Sequence, residues 1–98
     1  MAGVAATVER ARALCRQGRF AEARALLEPL AAAADRRVAA LLGETCLRLG
    51  DAAARAGDVA RALACYERSI AVRPDEVEAH FNRGVVLYHA GDAVGAAA

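Results

Sequence analysis

Lysine and tryptophan are absent from this 98-residue chain, which also has only two prolines and four aromatic residues. Each shortage excludes something. With few aromatics, one isoleucine and two threonines, there is too little strand-forming material for a sheet. No apolar stretch approaches the roughly 20 residues needed to span a bilayer, so no membrane association is expected. The N-terminus, MAGVAATVERAR, has no positive segment followed by an apolar core, so it is not a secretory signal. Cys15, Cys46 and Cys65 are odd in number, widely spaced and form no CxxC, which argues against a disulfide framework or a zinc site. They read as small buried apolar residues in a reducing cytoplasm. The expectation is a cytoplasmic protein with no metal and no cofactor.

Groups able to do chemistry are equally scarce. Hydroxyl side chains other than tyrosine are limited to Thr7, Thr45 and Ser69. His80 and His89 lie nine positions apart, which on one helix turns them in different directions and rules out an HExxH-type pair. Glu78 and His80, two apart, splay around the helix, and acids at a helix start suit a solvated first turn. The glycines do not follow a phosphate-loop pattern. No nucleophile–base pair, paired carboxylates or ligand set is legible, so the chain is expected not to be an enzyme.

Alanine is what the chain has in quantity, more than one position in four, and it is the best intrinsic helix former while burying little area. The fold class expected is all-α, with helices packed closely around a thin core. The 13 basic residues are all arginine and stand against 12 acidic ones, for a net charge of +1. Arginine without lysine, alongside so much alanine, fits the codon usage of a GC-rich bacterial genome. The arginines alternate with Glu and Asp and build no basic block, so nucleic acid is not an expected partner.

An internal repeat organises the rest. At an offset of 34, Gly50 falls on Gly84, Ala56 on Ala90, Gly57 on Gly91, Asp58 on Asp92 and Ala62 on Ala96, while Leu47 meets Phe81. A third copy lies upstream at an offset of 39, where Gly18–Ala23 parallels Gly57–Ala62, Leu27 meets Tyr66 and Leu30 meets Ser69. The longer offset means an insert of five between the first and second units. Within a unit, Ala62, Leu63, Tyr66, Ser69 and Ile70 recur at helical spacing. Gly57 stands where a helix ends in a left-handed residue, and Asp58 is placed to cap the next helix. Pro74 closes the unit, and Asp75 with Glu78 has the spacing of a capping box. Gly50 and Gly84 fall inside helices, where each costs about 1 kcal/mol relative to alanine and admits a close neighbour.

With these positions in hand, residues 43–76 resemble one tetratricopeptide repeat: Leu49 and Gly50 in the first helix, Ala62, Tyr66 and Ser69 in the second, then Pro74. Residues 77–98 are similar to a truncated repeat with Gly84, Leu87, Tyr88 and a turn at Gly91-Asp92, and residues 4–37 to a degenerate one. Residues 1–98 are thus expected to form a single array, an α-solenoid of about two and a half antiparallel helix pairs. Three departures carry expectations. Pro29 should kink or end its helix after Glu28. Arg83 stands at a usually apolar position, so its stem must run along the helix surface. The insert should lengthen one helix between Asp35 and Ala56 to ~20 residues and ~30 Å, with Gly43 as the place where it could bend.

The resemblance implies a non-catalytic interaction scaffold whose first helices line a concave face that holds a protein or peptide. Carried over by position, the face comprises Arg12 and Arg16 in the first repeat. In the second it comprises Glu44, Leu47, Arg48, Asp51 and Arg55. Glu78, Phe81, Asn82, Val85, Tyr88 and His89 follow in the third. Phe81 and Tyr88 are equally readable as packing residues, and Glu44 and Asp51 as solvated surface. Leu47 and Asp51 stand where the subtype that grips a peptide C-terminus has a basic residue and an asparagine, which disfavours that ligand. Residues 92–98 are too few for a stable second helix, leaving Phe81, Val86 and Leu87 under-covered. Two further readings follow from that: an N-terminal recruiting arm of a larger bacterial enzyme of glycosyltransferase or methyltransferase type, and self-association through the uncapped third repeat.

Overall fold

The computed structural model describes residues 2–97, and the side chains of residues 3–91. It is helical from end to end: α1 (Ala2–Arg16), α2 (Phe20–Leu27), a 3-10 segment (Glu28–Ala33), α3 (Arg36–Arg55), α4 (Val59–Val72) and α5 (Val77–Ala97). Consecutive helices pack antiparallel in pairs, α1 with α2 and α3 with α4, and α5 lies against both α3 and α4. Among the described residues no helix is long and apolar enough to cross a membrane.

The two intra-pair turns are built alike. Gly18 and Gly57 take φ of +75° and +79°, the left-handed region glycine enters without a Cβ penalty. After Gly18 the Arg19 amide reaches back to the Leu14 carbonyl at 2.9 Å. After Gly57 the Asp58 amide reaches the Ala53 carbonyl, also at 2.9 Å. Both close the preceding helix with the same backward bond. Leu14 and Ala53 are themselves separated by the longer of the two offsets read from sequence, so that offset is reproduced bond for bond. Asp58 then caps α4, accepting from the Arg61 amide at 3.1 Å.

Pro29 acts as expected, with the break one position earlier. The α-helix ends at Leu27 and a 3-10 segment carries the chain on to Ala34, whose φ of +55° turns it into the next helix. Glu28, at the break, accepts from Arg68 of α4 at 2.6 Å and from Arg24 at 3.0 Å. Those bonds, Arg68's foremost, hold its carboxyl below the usual glutamate range. The pairing ties the first helix pair to the second.

The insert becomes the opening turns of α3, which has 20 residues. Asp35 caps it, accepting from the Arg37 amide at 2.8 Å and from that residue's guanidinium at 2.7 Å. The Arg37 bonds hold the Asp35 carboxyl down at about 2. The extra turns add core: Val38, Leu41 and Leu42 join Val8, Ala11, Ala23, Leu27 and Cys46 in one buried cluster. Leu47, Ala53, Ala62, Tyr66 and Ala79 make a second cluster further along α3. The three cysteines are unpaired, Cys46 and Cys65 buried and Cys15 partly so. Burial pushes the Cys46 thiol up to about 11, so it stays protonated.

Gly50 lets α4 approach α3 closely. A β-carbon built there would lie 2.6 Å from Cε1 of the buried Tyr66 ring. The Tyr66 hydroxyl donates to Asp51 Oδ1 at 2.7 Å, so the ring is held at both ends. One turn on, the Ser69 hydroxyl donates to the Gly43 carbonyl at 2.8 Å. These are the small and aromatic positions the repeat pattern marks.

Two local expectations are corrected. α5 runs without a break through Gly91-Asp92, where the repeat pattern placed a turn. A left-handed turn is stabilised by the helix that packs back after it, as α4 does after Gly57, and among the described residues no helix packs back after Gly91. The capping box is also displaced. α5 begins at Val77, one position late for Asp75 to be its cap, and the Glu76 amide instead donates to the Arg73 carbonyl at 3.0 Å.

Candidate interaction groove

Residues 36 to 55 set the axis of the site, because α3 presents Arg37, Ala40, Glu44, Arg48, Asp51 and Arg55 three or four positions apart, on one side. The helices flanking that side, α1 and α5, turn it into a groove with three zones.

The first zone is a cleft lined by Arg12 of α1, by Arg36, Arg37, Ala40, Leu41 and Glu44 of α3, and by Arg73 just past α4. Arg73 reaches it by lying across Gly43: a β-carbon on that glycine would sit 2.8 Å from Arg73 Cδ. The partners of these guanidinium groups lie at the edges. Arg12 is 3.6 Å from Glu9, Arg37 is 2.7 Å from Asp35, and Arg73 is 3.2 Å from Glu76. Arg36 makes no ion pair among the described residues. Arg16 is exposed in the last turn of α1, outside this cleft.

The middle zone joins two repeats. Arg48 Nε donates to Glu44 at 3.1 Å, and its Nη1 to Glu78 of α5 at 3.1 Å and to Asp51 at 3.4 Å. Asp51 Oδ1 accepts from the Tyr66 hydroxyl and from Asn82 Nδ2 at 2.9 Å. The Asp51 side chain is only 18% exposed. Asp51 and Asn82 therefore bind the repeats to each other while lining the groove. Solvated surface does not describe Asp51, because its carboxylate accepts from both neighbouring helices.

The third zone is apolar. Ala54, Arg55, Val85 and Val86 border the floor made by Asp51, Tyr66 and Asn82. Val85 continues into a second surface with His80, Phe81, Gly84, Tyr88 and His89. Phe81 and Tyr88 are 69% and 67% exposed, and the Tyr88 and His89 rings meet edge-on at 5.7 Å.

Leu47 does not belong to the groove. It is fully buried against Tyr66, Ala62 and Ala79, because α5 covers it. Phe81, its counterpart one repeat later, has no helix over it among the described residues and is exposed. Val86, expected to be under-covered, packs against the second core cluster. Arg83 is half-buried and reaches Glu67 of α4 at 3.7 Å. Arg36, Arg37 and Arg73 were missed from sequence. The first two could have been found by extending the spacing of the α3 face into the turns before Gly43. Arg73 had no such signal, since its place depends on where α4 ends.

Among the described residues no group of three or more His, Cys, Asp or Glu side chains gathers as a metal-ligand set. Two family models described as tetratricopeptide repeat match the chain, one over residues 47–98 and one over residues 4–29. No curated protein matches, and no solved structure matches.

Proposed function

The chain belongs to the tetratricopeptide repeat family, whose repeats generally mediate protein–protein interaction and are typically non-catalytic, and on that premise we propose that it holds a protein or peptide segment along the α3 groove. The observation that carries this is the match between the groove and the side of α3 left open by its neighbours. Arg37, Glu44, Arg48 and Arg55 stand along it, between α1 on one flank and α5 on the other. The contacts on offer are Arg12, Arg36, Arg37, Glu44 and Arg73 at one end. Arg55, Glu78, Phe81, Val85, Tyr88 and His89 lie toward the other. Selection from a displayed random-peptide library tests the reading. Enriched peptides should lose at least about tenfold in affinity with Arg55→Glu plus Val85→Glu. They should be indifferent to Ala60→Glu plus Ala64→Glu on the outer side of α4. An absence of enriched peptides, or sensitivity to the outer pair alone, would overturn it.

A second reading has its own observation. Five of the six exposed large apolar side chains among the described residues, Val77, Phe81, Val85, Leu87 and Tyr88, stand on α5. Gly84 lies among them with nothing within 4 Å of where its β-carbon would be, whereas its counterpart Gly50 is filled by Tyr66. Val77, Phe81, Val85 and Tyr88 recur at helical spacing on one face, and an exposed apolar stripe of this kind tends to be covered. An antiparallel second copy centred between Gly84 and Val85 would set Phe81 of one chain opposite Tyr88 of the other, an isologous contact. Sedimentation across micromolar concentrations should then show a monomer–dimer equilibrium that Phe81→Glu abolishes without lowering the melting temperature. A wild-type chain that stays monomeric throughout would remove this reading.

A further inference from the structure

Four arginines line the N-terminal cleft of the groove against one carboxylate, Glu44, whose Oε1 is engaged by Arg48. They arrive from three separate parts of the chain: Arg12 from α1, Arg36 and Arg37 from the first turn of α3, and Arg73 from the end of α4. Arg12, Arg37 and Arg73 each already hold a carboxylate at the rim, Glu9, Asp35 and Glu76, none of which lines the cleft, while Arg36 makes no ion pair among the described residues. Arg73 is fixed in place by its stem packed on Gly43. Guanidinium groups gathered around a shared opening are suited to planar, bidentate recognition of carboxylates.

Resting on the groove reading above, we infer that this cleft takes the acidic end of the bound segment, and that the partner is a peptide with acidic and apolar residues at opposite ends. The spacing follows from α3. From Arg37 to Arg55 the helix rises ~27 Å. An extended peptide covers that span in about eight residues. The acidic side chains therefore sit about eight positions from the apolar ones that reach Val85, Phe81 and Tyr88. Between them the peptide crosses Arg48 and Asp51, whose charges are already paired.

Peptide fits better than nucleic acid for three reasons. The cleft floor is Ala40 and Leu41, and no aromatic ring lines it for base stacking. Glu44 closes the inner end of the basic zone and would repel a continued run of phosphates. The chain as a whole carries a net charge of only +1, too little to hold a polyanion without local geometry.

The test uses a fluorescein-labelled peptide of three glutamates, a neutral spacer of about eight residues and a Leu-Phe end, a spacer length set by the ~27 Å span. Binding is followed by polarisation. The expected result is saturable binding, weakened about tenfold by Arg12→Glu plus Arg36→Glu, since bonds to charged groups are among the stronger ones. Both arginines are exposed, so the melting temperature should be unchanged. A version with a much shorter spacer, a single Gly-Ser pair, should bind more weakly, and oligothymidylate should not displace the probe. Three results would overturn the inference. One is unchanged affinity in the charge-reversed variant, another is indifference to spacer length, and the third is displacement by oligothymidylate. If library peptides bind the groove while the acidic probe does not, this inference fails and the groove reading stands. If neither binds, both fall.

Discussion

Leu47→Ala should destabilise the chain by about 2–5 kcal/mol, while Phe81→Ala, at the same repeat position, should change stability by no more than about 0.5 kcal/mol. Leu47 is fully buried among Ala53, Ala62, Tyr66 and Ala79, so truncation removes apolar burial and leaves a cavity. Three of those neighbours are alanines, whose short side chains cannot swing in to refill it. Phe81 is 69% exposed, and truncating it removes little contact. Urea unfolding of both variants, at concentrations where the chain is monomeric, checks the pair. Equal losses would mean that α5 is covered and that Phe81 is a core residue. A negligible loss at Leu47 would mean that α5 does not pack on α3 as described. A Leu47→Ala chain already unfolded in buffer would count with the large loss.

The second large effect is a reversal of sign between two glycines. Ala in place of a helical Gly normally stabilises by about 1 kcal/mol. Gly84→Ala should show that gain, because a β-carbon there meets nothing within 4 Å. Gly50→Ala should instead destabilise by about 1–3 kcal/mol, the range for overpacking a well-filled core. The new methyl would lie 2.6 Å from Tyr66 Cε1 and 2.7 Å from Cδ1. The ring cannot swing away cheaply, since its hydroxyl is bonded to Asp51 and the same carboxylate oxygen also holds Asn82. Moving the ring would cost the bond as well as the packing. Thermal melts of the two variants beside wild type decide it. A rise in melting temperature at Gly50 would show that Tyr66 is not seated against α3.

Which of these features was legible in sequence follows from how far each depends on distant chain. The Gly18 and Gly57 turns, the Asp58 cap, the break at Pro29 and the length of α3 are local, set by residues within one or two turns. That Gly50 admits a close neighbour was legible from a glycine kept inside a helix, though not that the neighbour is Tyr66. Leu47 was assigned to the groove because its position faces the groove in register. Its burial depends on α5 closing over it, which no local pattern records. Asp51 likewise appeared as one acid on a polar face, whereas its role arises from two donors on distant helices, Tyr66 and Asn82, meeting on one oxygen. The turn at Gly91-Asp92 was misread for the complementary reason. The glycine and acid are there, but the folding-back that stabilises such a turn is supplied by a following helix, not by the pair.

The most direct measurement of the central claim is a backbone amide shift map of the 15N-labelled chain titrated with a library-selected peptide. Binding along the groove predicts perturbations that follow α3 through Arg37, Ala40, Glu44, Arg48 and Arg55 and continue onto Val85 and Tyr88. The outer faces of α2 and α4, reported by Ala21, Ala25, Ala60 and Ala64, should stay silent. Perturbations concentrated on those outer residues, with α3 unmoved, would contradict it.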